Sequence, residues 1–351
     1  MRSKGTPSSL YPEKEKHQTT ISVQMGDLDV TVLELEGQQV HDGQTFPLAY
    51  RCDSDEATMG EATSWMAKNA SRLSSQATQH GAVFLRGFPL ASAEDFDTAV
   101  QAFDLPGFSY NDSLSNAYRI NYTPRVFSAN EAPPEETISL HHEMAQTPIY
   151  PSKLFFFCQV APETGGTTPI CRSDILWERL VEKRSAFASD CKEKGLLYSN
   201  VMPTETDKAS SMGRSWQSTF STDTREDAET RMATLDYVWE WLPNGDLRST
   251  TPVLPAVREL GKGRYSFFNQ LIAAFSGWKD TRNDPAKAIT FGDGSSLDTN
   301  DVETASALAD ELTFDVPWQA GDLVLVDNYI AMHDRRSFTG TRKVMASLVA
   351  D

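Results

Sequence analysis

Apolar positions along this chain alternate between two spacings, every second residue and every third to fourth, and the changes of spacing mark out its elements. Residues 1–20 carry no such pattern, are polar and charged with two prolines, and read as a flexible N-terminal arm. Ile21, Val23, Leu28, Val30, Val32, Leu33 and Leu35 predict a hairpin over 21–36 that turns at Gly26-Asp27. Met59, Ala62, Trp65, Met66 and Leu73 fall on one side of a helix over 57–79, which stops at His80-Gly81, where glycine can take a left-handed cap. A short buried strand follows over 82–88. Ser92 then opens a second helix through Phe96, Val100 and Phe103, with Glu94 and Asp95 in the first turn, where the helix dipole favours acids.

Residues 105–138 have little periodicity and predict a long excursion. After it, 154–158 is a continuous apolar strand, 162–168 a turn and 169–171 a further strand. Helices are predicted over 174–196, 225–235 and 298–312, and a hairpin over 237–251 turning at Asn244-Gly245. The apolar run 321–333 reads as a last strand carrying His333. Strands dominate the middle and the C-terminal part, with helices inserted. The expectation is a mainly β chain with inserted helices (α+β), forming one catalytic domain over 21–351.

Composition narrows the class. A formal net charge of -17 argues against nucleic acid and anionic membrane surfaces, which need a basic face, but not against a small anion held by one or two arginines. No apolar run reaches the length of a membrane span, and residues 1–5 lack a signal-peptide core, so a cytoplasmic protein is expected. Cys52, Cys158, Cys171 and Cys191 show no C-x-x-C spacing and read as reduced and mostly buried. Self-association is left open.

The chemistry concentrates around Leu140-His141-His142-Glu143-Met144. In an extended segment residues i and i+2 share a face, so His141 and Glu143 could reach one metal ion. Of six histidines, only His333 lies far downstream in an apolar, strand-like context, and it would complete a 2-His-1-carboxylate set with open coordination positions. Taken alone, His-x-Glu also fits an incidental loop. Two further stretches add weight. Gly165-Gly166-Thr167-Thr168 offers close backbone approach and a threonine hydroxyl, and Arg342, nine residues after His333 and beside Val344, Met345 and Leu348, could take a carboxylate in a bidentate pair. The turn at Gly292-Asp293-Gly294-Ser295 reads as structural.

The order His-x-Glu (141–143), Gly-Gly-x-Thr (165–168), Gly-Asp-Gly-Ser (292–295), Trp-Gln-x-Gly-Asp (318–322) and Asp-Asn-x4-His-x-Arg-x2-Phe-x-Gly-x-Arg (327–342) resembles the TauD/TfdA family. These are ferrous iron and 2-oxoglutarate dependent dioxygenases, related to clavaminate synthase and the syringomycin-biosynthesis hydroxylase. The early Gly-x-x-x-x-Arg-Gly-Phe at 81–88 is also similar to the family's, and the resemblance spans roughly 80–350. It implies a double-stranded β-helix (jelly-roll) core. It implies Fe(2+) held by His141, Glu143 and His333, 2-oxoglutarate anchored by Thr168 and Arg342, and O2 as oxidant, with succinate and CO2 as co-products. It favours a small-molecule substrate of secondary metabolism, an amino acid or derivative, that is hydroxylated, desaturated or cyclised. Glu143 disfavours halogenation, since related halogenases lack that carboxylate.

Departures from the family pattern shape the substrate side. His142 stands where close relatives carry asparagine, and is expected behind the metal ligands or facing the substrate. Asp334 replaces a common glycine. Ala346 stands where some members carry a second arginine for an acidic substrate group, so such an acid must be held elsewhere. Candidates in the excursion are Arg119 and Arg125, with Tyr118, Asn121, Tyr122, Asn130 and Glu131 as hydrogen-bonding groups, and Asn269 from a separate segment. Two competing classes remain at this stage. One is a zinc-dependent hydrolase using the same three ligands, which leaves Arg342 and Thr168 unexplained, and the other is a non-catalytic β-barrel binding protein.

Overall fold

The computed structural model describes residues 28–110, 113–210, 212–276 and 281–350. The expected N-terminal arm, and the first strand and turn of the hairpin at 21–36, lie outside them. The rest of that hairpin contributes Val30–Val32, which pairs antiparallel with Leu48–Cys52.

The chain is a strand-rich mixed α/β structure, and its alternating residues explain the layering. Among the described residues a seven-stranded sheet runs, in spatial order, Val30–Val32, Leu48–Cys52, Ala82–Arg86, Leu323–Asp327, Lys153–Val160, Lys343–Val349 and Phe127–Ser128. A four-stranded sheet runs Thr313–Val316, Thr168–Arg172, Ala331–Arg335 and Ile138–His141. Successive side chains on a strand face opposite ways. Phe84, Leu154, Phe156, Val324, Val326, Val344 and Ala346 therefore join Ile170, Phe314, Val316 and Ala331 of the small sheet in one buried core between the two sheets. The intervening Val83, Leu85, Phe155, Phe157, Leu323 and Leu325 face outward and pack against Trp65, Met66, Leu73, Phe96 and Val100 of the two N-terminal helices. Each such fully buried side chain contributes about 1.5–3 kcal/mol. This is why Ala82–Leu85, Leu154–Cys158 and Leu323–Val326 are apolar at every position.

The two N-terminal helices follow their sequence signals. Met59–His80 opens on a capping box between Thr58 and Glu61, and Ala93–Gln101 on one between Ser92 and Asp95. The outer face of the small sheet, at Leu140, Cys171 and Met332, is covered by Ser173–Lys183 and Thr299–Glu311. A third sheet holds Val238–Trp241, Leu247–Thr250, Leu196–Met202 and Ile289–Phe291, with the hairpin turn at Gly245 (φ 91°) as predicted.

Two expectations require correction. The helix over 174–196 is two helices, Ser173–Lys183 and Ser185–Lys194, broken at Arg184 (φ −139°, ψ 55°), with Leu196 already in a strand. The run 321–333 is likewise two strands in two different sheets. Asp327 ends the first and turns the chain, its carboxylate accepting from the Tyr329 N–H at 2.9 Å and its carbonyl from the Ile330 N–H at 3.1 Å. That crossing carries the chain from the large sheet to the small one just before His333.

Candidate active site

Three neighbouring strands set the first two histidines. Ile170, His333 and His141 are register partners across the small sheet, so both imidazoles face inward, with ring centroids 4.4 Å apart. Glu143 joins them by a different route from the expected pleat. The strand ends at His141, and residues 143–146 form a turn in which Met144 takes φ 59°. The turn is clamped by Asn328, whose side-chain oxygen accepts from the Glu143 N–H (2.9 Å). Its amide donates to the carbonyls of Glu143 (3.0 Å) and Pro151 (2.8 Å). The result places one ligand atom each of His141, Glu143 and His333 within 4.8 Å of one another, and Glu143 Oε2 lies 3.3 Å from His333 Nε2.

His141 and Glu143 are in the state a cation requires. His141 Nδ1 lies 2.8 Å from the Ser139 carbonyl, which fixes the tautomer that donates there and leaves Nε2 with its lone pair. Burial and the neighbouring His333 lower the His141 pKa to about 4, so the ring is neutral at physiological pH. Burial by itself would raise the Glu143 carboxyl. The hydrogen bond from His333 and the charge of Arg119 outweigh it and hold the pKa at about 2. Two imidazoles and one carboxylate, all buried or nearly so, fit a divalent ion with positions to spare.

Thr168 and Arg342 meet beside this cluster. Thr168 lies two residues along its strand from Ile170, and its hydroxyl oxygen accepts from Trp318 Nε1 (2.9 Å) and Arg342 Nη2 (3.0 Å). With both lone pairs engaged, its O–H is left to donate to an anion. Arg342 Nε donates to the Gly166 carbonyl at 2.8 Å. Gly166 has φ 64°, and a Cβ there would come within 3.1 Å of Arg342 Cδ and 2.9 Å of Phe338 Cβ, so the glycine admits the guanidinium. Burial lowers the Arg342 pKa to about 10, and among the described residues no carboxylate pairs with it. The other motif residues are structural. Arg86 and Asp322 form a bidentate pair (2.9 and 2.7 Å) that ties adjacent strands, and the 292–295 turn belongs to the third sheet.

A cavity opens onto His141 and Glu143. Arg119 stands in its wall, with Nη2 4.0 Å from Glu143 Oε1 and with Nε and Nη1 buried and without a partner. Asn130 also lines it, its side-chain oxygen held by the Ala132 N–H. The other substrate-side candidates lie away from this cavity. Arg125 is half exposed and bridges to Asp97 at 3.2 Å, because its position faces the helix Ala93–Gln101. Tyr122 is exposed under Lys343. Asn269 is buried away from the cavity, bonded to Ala256 O and the Leu271 N–H. His142 points the opposite way from its neighbours: its Nδ1 is 2.5 Å from Asn328 O, its ring lies against Phe268, and it takes no part in the cavity. Gln146, Ser139 and Gln270, not singled out from sequence, do line the cavity. Arg335 donates to the carbonyls of Ala132, Pro133 and Glu136 and so fastens the end of the excursion.

A strand-rich scaffold that brings two histidines and a glutamate together fits a non-haem metal centre. The family model described as taurine catabolism dioxygenase TauD, TfdA family matches residues 45–348, and the chain belongs to that family. It is a non-haem iron dioxygenase that uses Fe(II), 2-oxoglutarate and O2. It is 42% identical over 271 residues to a clavaminate synthase-like protein of Arabidopsis thaliana, covering 77% of this chain and 82% of that one. It is 26% identical over 290 residues to the dapdiamide synthesis protein DdaC of Enterobacter agglomerans, covering 78% and 83%. Among solved structures, PvcB, described as an Fe, alpha-ketoglutarate dependent oxygenase, shares the fold at TM-score 0.52 and 15% identity over 94% of both chains. A putative alpha-ketoglutarate-dependent taurine dioxygenase of Burkholderia xenovorans does so at 0.51 and 13%, over 92% and 93%. Among the described residues no helix is long and apolar enough to cross a membrane.

Proposed function

We propose that this dioxygenase oxidises a C–H bond of a small amino-acid-like metabolite, with His141, Glu143 and His333 as iron ligands and Thr168 and Arg342 as the anchor for the distal carboxylate of 2-oxoglutarate. The observation that carries the reading is a pair of buried guanidiniums with donors to spare, Arg342 against Thr168 and Arg119 in the cavity wall. Each calls for an anion: one for the co-substrate, one for the substrate. Bound iron, with 2-oxoglutarate and dioxygen, supplies the oxidising power and leaves succinate and carbon dioxide. The chain's own residues orient and exclude. Thr168 and Arg342 fix the co-substrate, Arg119 takes the substrate carboxylate, and Phe156, 5.1 Å from the His333 ring, is an apolar neighbour of the site. The two facing sheets support a double-stranded β-helix, with the iron ligands on its inner face. A zinc hydrolase would leave Arg342 and Thr168 without a task.

The names of two relatives, one for dapdiamide synthesis and one as clavaminate synthase-like, support an amino-acid-derived substrate in secondary metabolism. The four buried, unpaired cysteines support a reducing, cytoplasmic setting. The test is succinate release with ferrous iron and 2-oxoglutarate, with and without a panel of amino acids. His141→Ala, Glu143→Ala and His333→Ala should each abolish it. Arg119→Gln should raise the substrate KM at least tenfold while substrate-free decarboxylation persists, and Arg125→Ala should change neither. Normal substrate turnover in Arg119→Gln would defeat the substrate-side assignment.

A further inference from the structure

A second chamber lies behind the wall of the first. Residues 114–119 run between the two as a partition with a two-residue alternation, Ser115, Ala117 and Arg119 facing the iron-side cavity and Leu114 and Asn116 the chamber behind. Arg214 fastens the partition: its backbone N–H donates to the Asn116 carbonyl (3.0 Å), and its Nη1 to the carbonyls of Ser113 (2.9 Å) and Ser115 (3.0 Å). Gln146, three residues beyond Glu143, belongs to the walls of both spaces.

The chamber is narrow, and no charged side chain lines it. Four of its lining residues nevertheless bring a buried polar atom that has no partner: Asn116 Nδ2, Asn200 Nδ2, Gln146 Oε1 and Thr219 Oγ1. Buried polar atoms are nearly always paired, so four unmet atoms around one space point to something that belongs there. The set is matched by a neutral group that offers two lone pairs and two protons. Two amide N–H donors match a carbonyl oxygen with two lone pairs, and a carbonyl and a hydroxyl oxygen match an NH2 with two protons. A carboxylate would give Gln146 no donor and would put a charge in an uncharged wall. An ammonium would give the two asparagines no acceptor, and a hydrocarbon would leave all four atoms unmet.

We propose that this chamber is a substrate subsite for an uncharged carboxamide-type group, reached past Gln146 from the iron-side cavity. The inference rests on the substrate reading above and extends it: the amino-acid-like substrate has its carboxylate at Arg119 and a neutral amide or ureido group at its other end.

The experiment compares side chains that differ only in their terminal group. Succinate release by the intact enzyme with iron and 2-oxoglutarate is measured with asparagine, glutamine and citrulline, and against them aspartate, glutamate and leucine. The carboxamide or ureido members should stimulate at least tenfold more, by kcat/KM, than the acidic or hydrocarbon members. Thr219→Val, which keeps the shape and removes the hydroxyl, should raise the KM of the best amide probe about five- to tenfold, the worth of one neutral hydrogen bond. It should leave substrate-free decarboxylation and the KM for 2-oxoglutarate unchanged. Equal stimulation by the acidic or hydrocarbon members, or an unchanged amide KM in Thr219→Val, assigns the chamber to ordered water and overturns the subsite alone. If no member stimulates while substrate-free decarboxylation runs, the subsite falls together with the amino-acid reading.

Discussion

Arg342 enters the protein interior with no acid to meet it, and that single fact predicts a strong dependence on its charge and shape. Its Nε and one Nη are committed to Gly166 and Thr168, which orients the guanidinium and leaves the other nitrogen free. Removing a buried charge-assisted pair costs roughly 2–5 kcal/mol, so Arg342→Ala should raise the 2-oxoglutarate requirement on the order of thirty-fold or more. Arg342→Lys should recover only part of this, since an ammonium cannot keep both structural bonds and still present a fork. A saturation curve for 2-oxoglutarate unchanged in Arg342→Ala would move the anchor elsewhere. At this scale the sequence was informative wherever a residue's task is set by type and order. His141, Glu143 and His333 were singled out by type and order, and the structure brings them together. It was uninformative where the task depends on which way a loop faces. Arg119 and Arg125 are equivalent in the sequence, yet one lies beside Glu143 and the other on Asp97.

The elements around the site show why a turn and not a strand delivers the carboxylate. Asn328, fully buried, bonds Glu143 through both its N–H and its carbonyl and also holds Pro151, so it fixes two backbone groups of the turn and one beyond it. Asn328→Ala would leave them buried and unmet, at roughly 1–3 kcal/mol for each group that water cannot reach. The expected outcome is a fall in the denaturation midpoint together with a loss of iron affinity of about ten- to a hundredfold, the usual cost of losing a group that orients a ligand. Asn328→Asp should not rescue either, because a carboxylate cannot donate to two carbonyls. Equal metal affinity in Asn328→Ala and wild type would show that Glu143 is placed by other means. Helix starts and the 237–251 hairpin were legible because caps and turn residues act locally, through Thr58, Ser92 and Gly245. The break at Arg184 was not, since Leu176, Leu180, Phe187 and Cys191 fit one uninterrupted stripe and no glycine or proline interrupts it. Nor was the crossing at 328–330, where an apolar run passes from one sheet to the other and only Asp327-Asn328 marks the turn.

On the scale of the whole molecule, the candidate site joins residues from both sheets and from the turn between them. His141, His333 and Thr168 come from the small sheet, and Glu143 from a turn clamped to the crossing between sheets. Arg342 immediately precedes Lys343–Val349 of the large sheet. A metal ion held by these three residues would tie the small sheet to the turn, and 2-oxoglutarate held by Arg342 would tie both to the large sheet. Ligands that bind only the folded state stabilise it by mass action, about 2.7 kcal/mol at a hundredfold excess over Kd. For a chain of this size that is a shift of a few degrees in Tm. The two contributions should be ordered. Manganese(II), used as an air-stable stand-in for iron, should raise Tm alone, whereas 2-oxoglutarate alone should add little and should add its increment only once metal is present. His333→Ala should lose both increments, and Arg342→Ala should keep the metal increment and lose that of 2-oxoglutarate. An undiminished 2-oxoglutarate increment in Arg342→Ala would mean that the co-substrate does not bridge the sheets, and the anchor at Thr168 and Arg342 would then have to serve another anion.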